Sequence, residues 1–269
     1  MLVIKNNVMA ANAARHLGQS YDALAKSVER LSSGLRINSA KDDAAGLAVR
    51  ELMRADVAVI QQGVRNAQDG ISMLQTMEGA LQTVDTALTR MKQLAEQAAT
   101  GTYSDPQRGT MNSEFGEMAD EINRIATSTK FNTNQLLTSS AAINIVFGGT
   151  GDFIQIKGSD MTSSGLGIKS LGIASVGAAQ SALATLDTAI GLKDTARAAF
   201  GYKMNRLEST VEVLNIQSEN LSAAESRVSD VDVATEMASM TRNQVLAQAG
   251  ISMLTQANTL PQMALNLLR

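Results

Sequence analysis

Apolar residues recur at alternating spacings of four and three along most of this chain. The first series is Ala10, Ala14, Leu17, Tyr21, Leu24, Val28 and Leu31. That is a heptad seam, and it predicts a helix over 8–32 packed against partner helices. The series stops at 32–46, SSGLRINSAKDDAAG, where Gly34 and Gly46 permit turns. Ser39 followed by Asp42 resembles a capping box with Asp in place of Glu or Gln. A second series runs through Val57, Ile60, Val64, Ala67, Ile71, Leu74, Met77, Leu81, Val84, Leu88, Met91, Ala95 and Ala98. It predicts a helix from about Ala45 to about Ala99, with a small stammer at the 71–74–77 step. Residues 57–98 alone span about 60 Å at the α-helical rise, a rod rather than a globule. Gly101 and Asp105-Pro106 end this helix.

A third helix is predicted over 107–128, with Met111, Phe115, Met118, Ile122 and Ile125 as its apolar set. The connection is short, so it folds back antiparallel on the second helix. The composition then changes. The runs INIVF (143–147) and FIQIK (153–157) flank Gly148, Gly149 and Gly151, which predicts a hairpin with a loop of about five residues. The Ser, Thr and Gly of 158–166 read as an exposed loop. Helix returns near 176 and continues, with breaks, through Leu183, Leu186, Ile190, Phe200, Met204, Leu207, Val211, Leu214, Leu221 and Val228. Neither helical half buries its stripe alone, so the two pair lengthwise.

Both ends of the chain are poor in charge. Residues 243–268 contain no Asp, Glu, Lys or Arg, and the first fourteen contain only Lys5. Chain termini usually lie at the surface, where a monomer has no way to bury two such ends. Many copies together bury them, which points to a polymer. Composition narrows the classes further. Aromatics make up 3% and Trp is missing, whereas an enzyme core of this length normally uses more large rings. Ala, Leu, Ile, Val and Met carry the apolar content, the mixture that fills helix–helix seams. A net charge of -3 leaves no basic footprint for nucleic acid. Without Cys there is no disulfide, thiolate nucleophile or thiolate metal site. MLVI is too short for the core of a cleavable signal, and the Gln and Asn through 243–268 rule that run out as a membrane span.

The segment LSSGLRINSAKDDAAGLAVRELMRADV (31–57) resembles the N-terminal signature of bacterial flagellin. NLSAAESRVSDVDVATEMASMTRNQVLAQAGISMLTQANTLPQMALNLLR (220–269) resembles its C-terminal signature. The likeness covers about 1–140 and 176–269. Most flagellins carry large outer domains in the middle, where this chain has only 143–175, so it resembles a minimal flagellin. The resemblance implies a subunit of the helical filament that the flagellar motor turns, working outside the cell. It implies export, unfolded, through a flagellum-specific channel after holding by a chaperone, and polymerisation beneath a cap, on a hook with its junction proteins. It implies that both terminal segments become a helical pair in the filament core. The packing residues there are Leu17, Tyr21, Leu24, Val28 and Leu31 on one helix and Ile251, Leu254, Leu260, Leu265 and Leu268 on the other. A small β element sits at the family's protofilament switch, and 143–157 is its candidate here.

LTRMKQLAEQAATGT (88–102) resembles the stretch that a host Toll-like receptor recognises, and the contact pattern falls on Arg90, Leu94, Gln97 and Glu114. Arg beside an exposed Leu is a frequent hot-spot pairing. Rod contacts between subunits account for the same residues without a receptor. His16, the only histidine, is flanking surface beside Leu17. Asp42 and Asp43 fit a charged first turn better than a cation site. The fourteen Met fill the core. Thr138, Ser139, Ser140, Thr162, Ser163 and Ser164 are acceptors for O-linked sugar if the loops that carry them are exposed.

The reading is a mainly α fold: a long antiparallel helical rod or coiled-coil bundle with a small β-hairpin and paired terminal helices. Residues 1–44 and 231–269 form the terminal helices, 45–142 and 176–230 the rod, and 143–175 the β element. The function is a structural filament subunit, with no enzymatic activity, metal or cofactor. The alternatives are a hook–filament junction protein, or a soluble coiled-coil adaptor that does not polymerise. An adaptor exposed to water keeps charged flanks at its ends.

Overall fold

The computed structural model describes residues 6–138, 142–148 and 151–267. In chain order the elements are α1 (Val8–Ser33), α2 (Ala44–Ala99), α3 (Asp105–Ser128), β1 (Lys130–Phe131), β2 (Asn134–Gln135), β3 (Ala142–Val146), β4 (Phe153–Lys157), α4 (Val176–Ser229) and α5 (Val233–Leu267). The fold is mainly helical, with two small antiparallel hairpins, β1–β2 and β3–β4. The chain forms two compact units. One is Met1–Val57 with Glu219–Arg269, here unit 1; the other is Ala58–Ser218, unit 2.

Unit 2 has a continuous apolar core. From Leu74 to Ala98 the predicted α2 seam is sealed: Leu74, Met77, Leu81, Val84, Leu88, Met91, Ala95 and Ala98 are all 0% exposed. A second flank of the same helix, Met73, Ala87 and Leu94, is buried as well. A helix buried on two flanks has more than one neighbour. The antiparallel return of α3 is fixed at its start. The Ser104 N–H donates to Gln107 Oε1 at 2.9 Å. Arg108, 5% exposed, donates from Nε to the Ala98 carbonyl at 2.9 Å and from Nη2 to the Thr100 carbonyl at 3.1 Å. A guanidinium on the last carbonyls of α2 satisfies orphan acceptors and matches the negative end of the helix dipole.

The hairpin β3–β4 alternates cleanly, with Ile143↔Ile156 and Ile145↔Ile154 on the inner face. It seats on α2 where that helix carries glycine. A Cβ at Gly63 would lie 2.0 Å from the Phe147 carbonyl oxygen, and one at Gly70 would lie 3.1 Å from Ile145 Cγ1. Between them Asn66 Nδ2 donates to the Val146 carbonyl at 2.9 Å.

Four expectations need correction. The helix cap before α2 is Asp43, whose Oδ1 accepts from the Gly46 N–H at 2.9 Å. Asp42 instead accepts from the Ser39 N–H and hydroxyl and pairs with Lys26 at 2.6 Å, which holds its pKa well below the usual carboxylate range. The first strand of the hairpin spans Ala142–Val146, ending one residue early, and Phe147, 7% exposed, follows it on the inner face with Ile143 and Ile145. The hairpin β1–β2 was not anticipated; its two-residue loop uses Asn132 at φ 57°, a conformation Asn tolerates. The segment 158–166 is not an exposed loop. Met161 and Leu166 enter the core, followed by Ile168 and Ile173, and Ser163 is 4% exposed, so its hydroxyl is not a surface acceptor for sugar. The Met161 N–H donates to the Leu137 carbonyl at 2.9 Å, and the Ile173 N–H to Asn112 Oδ1 at 2.7 Å. Ser139 and Ser140 lie outside the described residues.

Candidate assembly interface

Unit 1 is built on the antiparallel pairing of α1 and α5. Asn7 works at one end of the pair. Its Oδ1 accepts from the Ala10 N–H at 3.0 Å, capping α1, and its Nδ2 donates to the Ala257 carbonyl at 2.7 Å. At the other end the Ser27 hydroxyl donates to Glu236 Oε1 at 2.6 Å, and Arg30 pairs with the same carboxylate at 3.4 Å. Glu236 also lies in the first turn of α5, where a negative charge suits the helix dipole.

Between those ends the contact face alternates Leu with small residues. On α1 the buried or half-buried positions include Ala10, Ala13, Leu17, Ser20, Leu24, Ser27 and Leu31. On α5 they include Asn243, Ala247, Gly250, Leu254 and Ala257. A Cβ at Gly250 would stand 3.2 Å from Leu17 Cδ1, so glycine there sets the closeness of the two helices. Other large apolar side chains point elsewhere. Tyr21 is 48% exposed and Val28 50%; Leu246 is 50%, Ile251 47% and Met253 62%.

The named packing residues therefore divide. Leu17, Leu24, Leu31, Leu254 and Leu260 are half-buried within one chain. Tyr21, Val28 and Ile251 stay exposed. The side chain of Leu265, and Leu268 altogether, lie outside the described residues. The periodicity sees α1 correctly as a helix but selects Ala14, Tyr21 and Val28 for its seam, where the chain uses Ala13, Ser20 and Ser27. A spacing rule weights large apolar residues, whereas close helix approach selects small ones. His16 borders an open groove with Leu17, Ser20, Asn243, Leu246 and Gly250.

The junctions beside this pair are tied by backbone. Gly34 ends α1 at φ 73°, donating its N–H to the Arg30 carbonyl. Leu35 and Asp230 form an antiparallel bridge, with the Arg36 N–H donating to the Ser229 carbonyl at 2.7 Å and the Val231 N–H to the Gly34 carbonyl at 3.0 Å. Ile37 is 1% exposed beneath them, and Arg50 donates to its carbonyl at 2.8 Å. Asp232 caps α5, accepting from the Thr235 hydroxyl and from the Ala234 and Thr235 N–H groups. These bonds lower its pKa.

The residues that resemble a receptor-contact pattern sit in unit 2. Arg90 and Glu114 pair across α2 and α3 at 2.7 Å, and Gln97 donates to the Tyr103 hydroxyl at 2.8 Å. Leu94 is 2% exposed, which corrects the expectation that it stands on the surface: it closes the α2 core beneath the polar residues. Lys193 in the α4 seam and Arg108 in the first turn of α3 are buried charges that the apolar spacing does not reveal. The signal for Lys193 is the gap it leaves in the series between Ile190 and Phe200.

Comparison with known proteins agrees with this architecture. Residues 4–142 match the model of the bacterial flagellin N-terminal helical region, and residues 183–268 match that of the bacterial flagellin C-terminal helical region. A flagellin of Halalkalibacterium halodurans is 42% identical, over 100% of this chain and 100% of the relative. A flagellar filament 30.7 kDa core protein of Treponema maltophilum is 39% identical, over 99% of this chain and 100% of the relative. The crystal structure of Bacillus cereus flagellin superimposes with a TM-score of 0.51 at 31% identity, covering 60% of this chain and 94% of that one. Two paired helical ends, a helical unit with a small hairpin and full-length relatives lead to one conclusion: the chain belongs to the bacterial flagellin family and is a structural subunit of the flagellar filament.

Proposed function

We propose that the α1–α5 pair is the polymerising element of the subunit, and that neighbouring copies complete its burial in the filament core. The carrying observation is the distribution of side chains on α5. Toward α1 it presents Ala247, Gly250 and Ala257; Val245, Leu246, Ile251, Met253 and Met263 are 47–62% exposed. A helix that is apolar on every side is a buried helix, and one partner helix covers only one stripe. Unpaired charges in such a core would each cost several kcal/mol, roughly, which accounts for a charge-free run of Asn, Gln and Ser. In this scheme 1–44 and 231–269 line the core. Segments 45–142 and 176–230 make the rod contacts of the outer tube, and 143–175 stands where larger flagellins carry outer domains. The hairpin seated on Gly63 and Gly70 is the candidate for the element that distinguishes two protofilament states. The subunit's work is mechanical and needs no catalysis.

Further partners follow from the same reading: an export chaperone and channel before assembly, and cap and hook-junction proteins during it. A host Toll-like receptor would meet the free subunit at Arg90, Gln97 and Glu114, with Leu94 supporting them from below. Receptor signalling from monomer should fall in an Arg90→Ala/Glu114→Ala variant that still forms filaments; unchanged signalling removes this site. For assembly, purified monomer is given sulfate or short filament seeds and viewed by electron microscopy, beside a chain ending before Asn243. Long filaments from the full chain alone support the proposal. Filaments from the truncated chain, or a small discrete bundle from the full one, reject it.

A further inference from the structure

Lys193 occupies a seam position of α4 and is 2% exposed. The buried positions on either side of it, Ala182, Leu186, Ala189, Ala196 and Phe200, keep the three-and-four spacing of a heptad seam, and Lys193 fills the place between Ala189 and Ala196. Its ammonium bonds Asp85 of α2, and Asp194 at 2.8 Å. Burial alone would push its pKa down. The two carboxylates outweigh burial and raise it, so the group stays charged. Two more ion pairs join the same helices: Arg197 Nε with Glu78 at 2.8 Å, and Lys92 with Asp187 at 2.5 Å.

The α2 members of this ladder, Glu78, Asp85 and Lys92, stand one heptad apart, and their signs run acid, acid, base. On α4 the partners run base, base, acid. An apolar heptad seam nearly repeats itself, so two antiparallel helices can slide by seven residues and still place apolar against apolar. A charge at a seam position breaks that degeneracy. Here a slide in one direction brings Asp187 opposite Asp85 and leaves Lys92 facing Gln180. A slide in the other brings the buried Lys193 opposite Lys92. Each slipped state loses all three native pairs, forms one new attraction, Lys193 with Glu78 or Arg197 with Asp85, and gains one repulsion.

We propose that Lys193 and the sign-inverted ladder are positioning residues that fix the register of α4 against α2. The proposal rests on unit 2 alone and stands or falls independently of how α1 and α5 assemble. Its consequence for the filament is direct. Register decides which outward residues of α2 and α4 share a face, so a slipped subunit presents the wrong surface to its neighbours.

The chain has no Cys, so spin labels can be placed singly and cleanly. Labels go on cysteines replacing Gln82 and Ser181, both exposed, in the full-length monomer. In the native register these positions lie about 22 Å apart along the axis, and a heptad slip changes that by ~10 Å. The decisive variant is Lys92→Glu with Asp187→Lys. It keeps every native attraction and removes both repulsions. The native chain should give one narrow distance. The swapped pair should add a displaced population of about a tenth. Lys193→Leu should broaden the distribution while melting at the same or a higher temperature, since an apolar residue in place of a buried ion is often stabilising. Lys193→Arg should restore one distance. A single native distance in both the swapped and Leu variants overturns the proposal. If the Leu variant does not fold, the swapped pair, which alters only partly exposed groups, decides alone.

Discussion

Unit 1 and unit 2 are written with the same four-and-three spacing, yet they end in different states. In unit 2 the seam closes on itself: Leu74 to Ala98 on α2, Phe115 and Ile122 on α3, and Leu186 and Phe200 on α4 are 0–3% exposed. In unit 1, among the described residues, the buried apolar positions are Ile37, Ala247 and Ala257, and beside them lie the polar Ser27, Arg50 and Ser229. Many of its large side chains remain outside: Val8 and Met9 on α1, Met253 and Met263 on α5. Periodicity thus marks which residues will be buried without saying by whom. Unit 2 is covered by its own chain, and under the proposal above other copies cover unit 1.

The contrast can be tested by substitutions of the same kind in each unit. Phe115→Ala empties a site that is 1% exposed. It should cost about 3–5 kcal/mol and lower the melting temperature of the monomer followed by circular dichroism. A cost under ~1 kcal/mol would mean that unit 2 is not the sealed body described here. Gly63→Ala comes next. The new methyl meets the Phe147 carbonyl at 2.0 Å, so the hairpin must lift, at about 2 kcal/mol. Lost amide protection across β3–β4, with the α2 seam still protected, would be the sign.

In unit 1 the same logic gives a small effect on the monomer. Leu246→Ala alters a side chain 50% exposed, so monomer stability should stay within ~0.5 kcal/mol of the native value. The critical concentration for polymerisation should nonetheless rise roughly tenfold, because the removed methylenes are covered only in the filament. Sedimentation of polymer against total protein reads this, and an unchanged critical concentration would erase the distinction between the units.

The smallest effect concerns Asp232. Its pKa is lowered from 3.8 by the Thr235 hydroxyl and the backbone N–H groups it caps. A depressed carboxylate stabilises above its unfolded value and loses that contribution as pH falls through the folded one. Acidification below about 3.8 should therefore loosen the first turn of α5, and Asp232→Ala should lose that response. Amide exchange at Ala234 and Thr235 against pH measures it.

Much of this fold is legible in the residues, and the places where it is not share physical reasons. The long helices carry heptads and α1 ends at Gly34, so their bounds are nearly right, although the cap before α2 is Asp43 rather than Ser39 with Asp42 and Asp105-Pro106 opens α3 rather than closing α2. The segment 158–166 misleads because Ser, Thr and Gly dominate its composition while Met161 and Leu166 reach the core. Lys193 is invisible to an apolar pattern, since a lysine counts as a break until its carboxylates are placed around it. In the candidate assembly interface, the ends of α1 and α5 are identifiable from their lack of charge, but the seam only in part: Leu17, Leu24 and Leu31 are found, and Ser20 and Ser27 are not. Gly250 and Ser27 are chosen for closeness, and closeness depends on both helices at once.

The central claim is that unit 2 is complete in one chain and unit 1 is completed by neighbours. Hydrogen exchange on monomer and on filament, resolved by peptide, tests it most directly. The account predicts that 74–98, 115–126 and 182–200 are strongly protected in both states. Residues 8–33 and 233–260 should exchange rapidly in the monomer and slow by several orders of magnitude in the filament. Equal protection of α1, α5 and the unit 2 core in the monomer would contradict it.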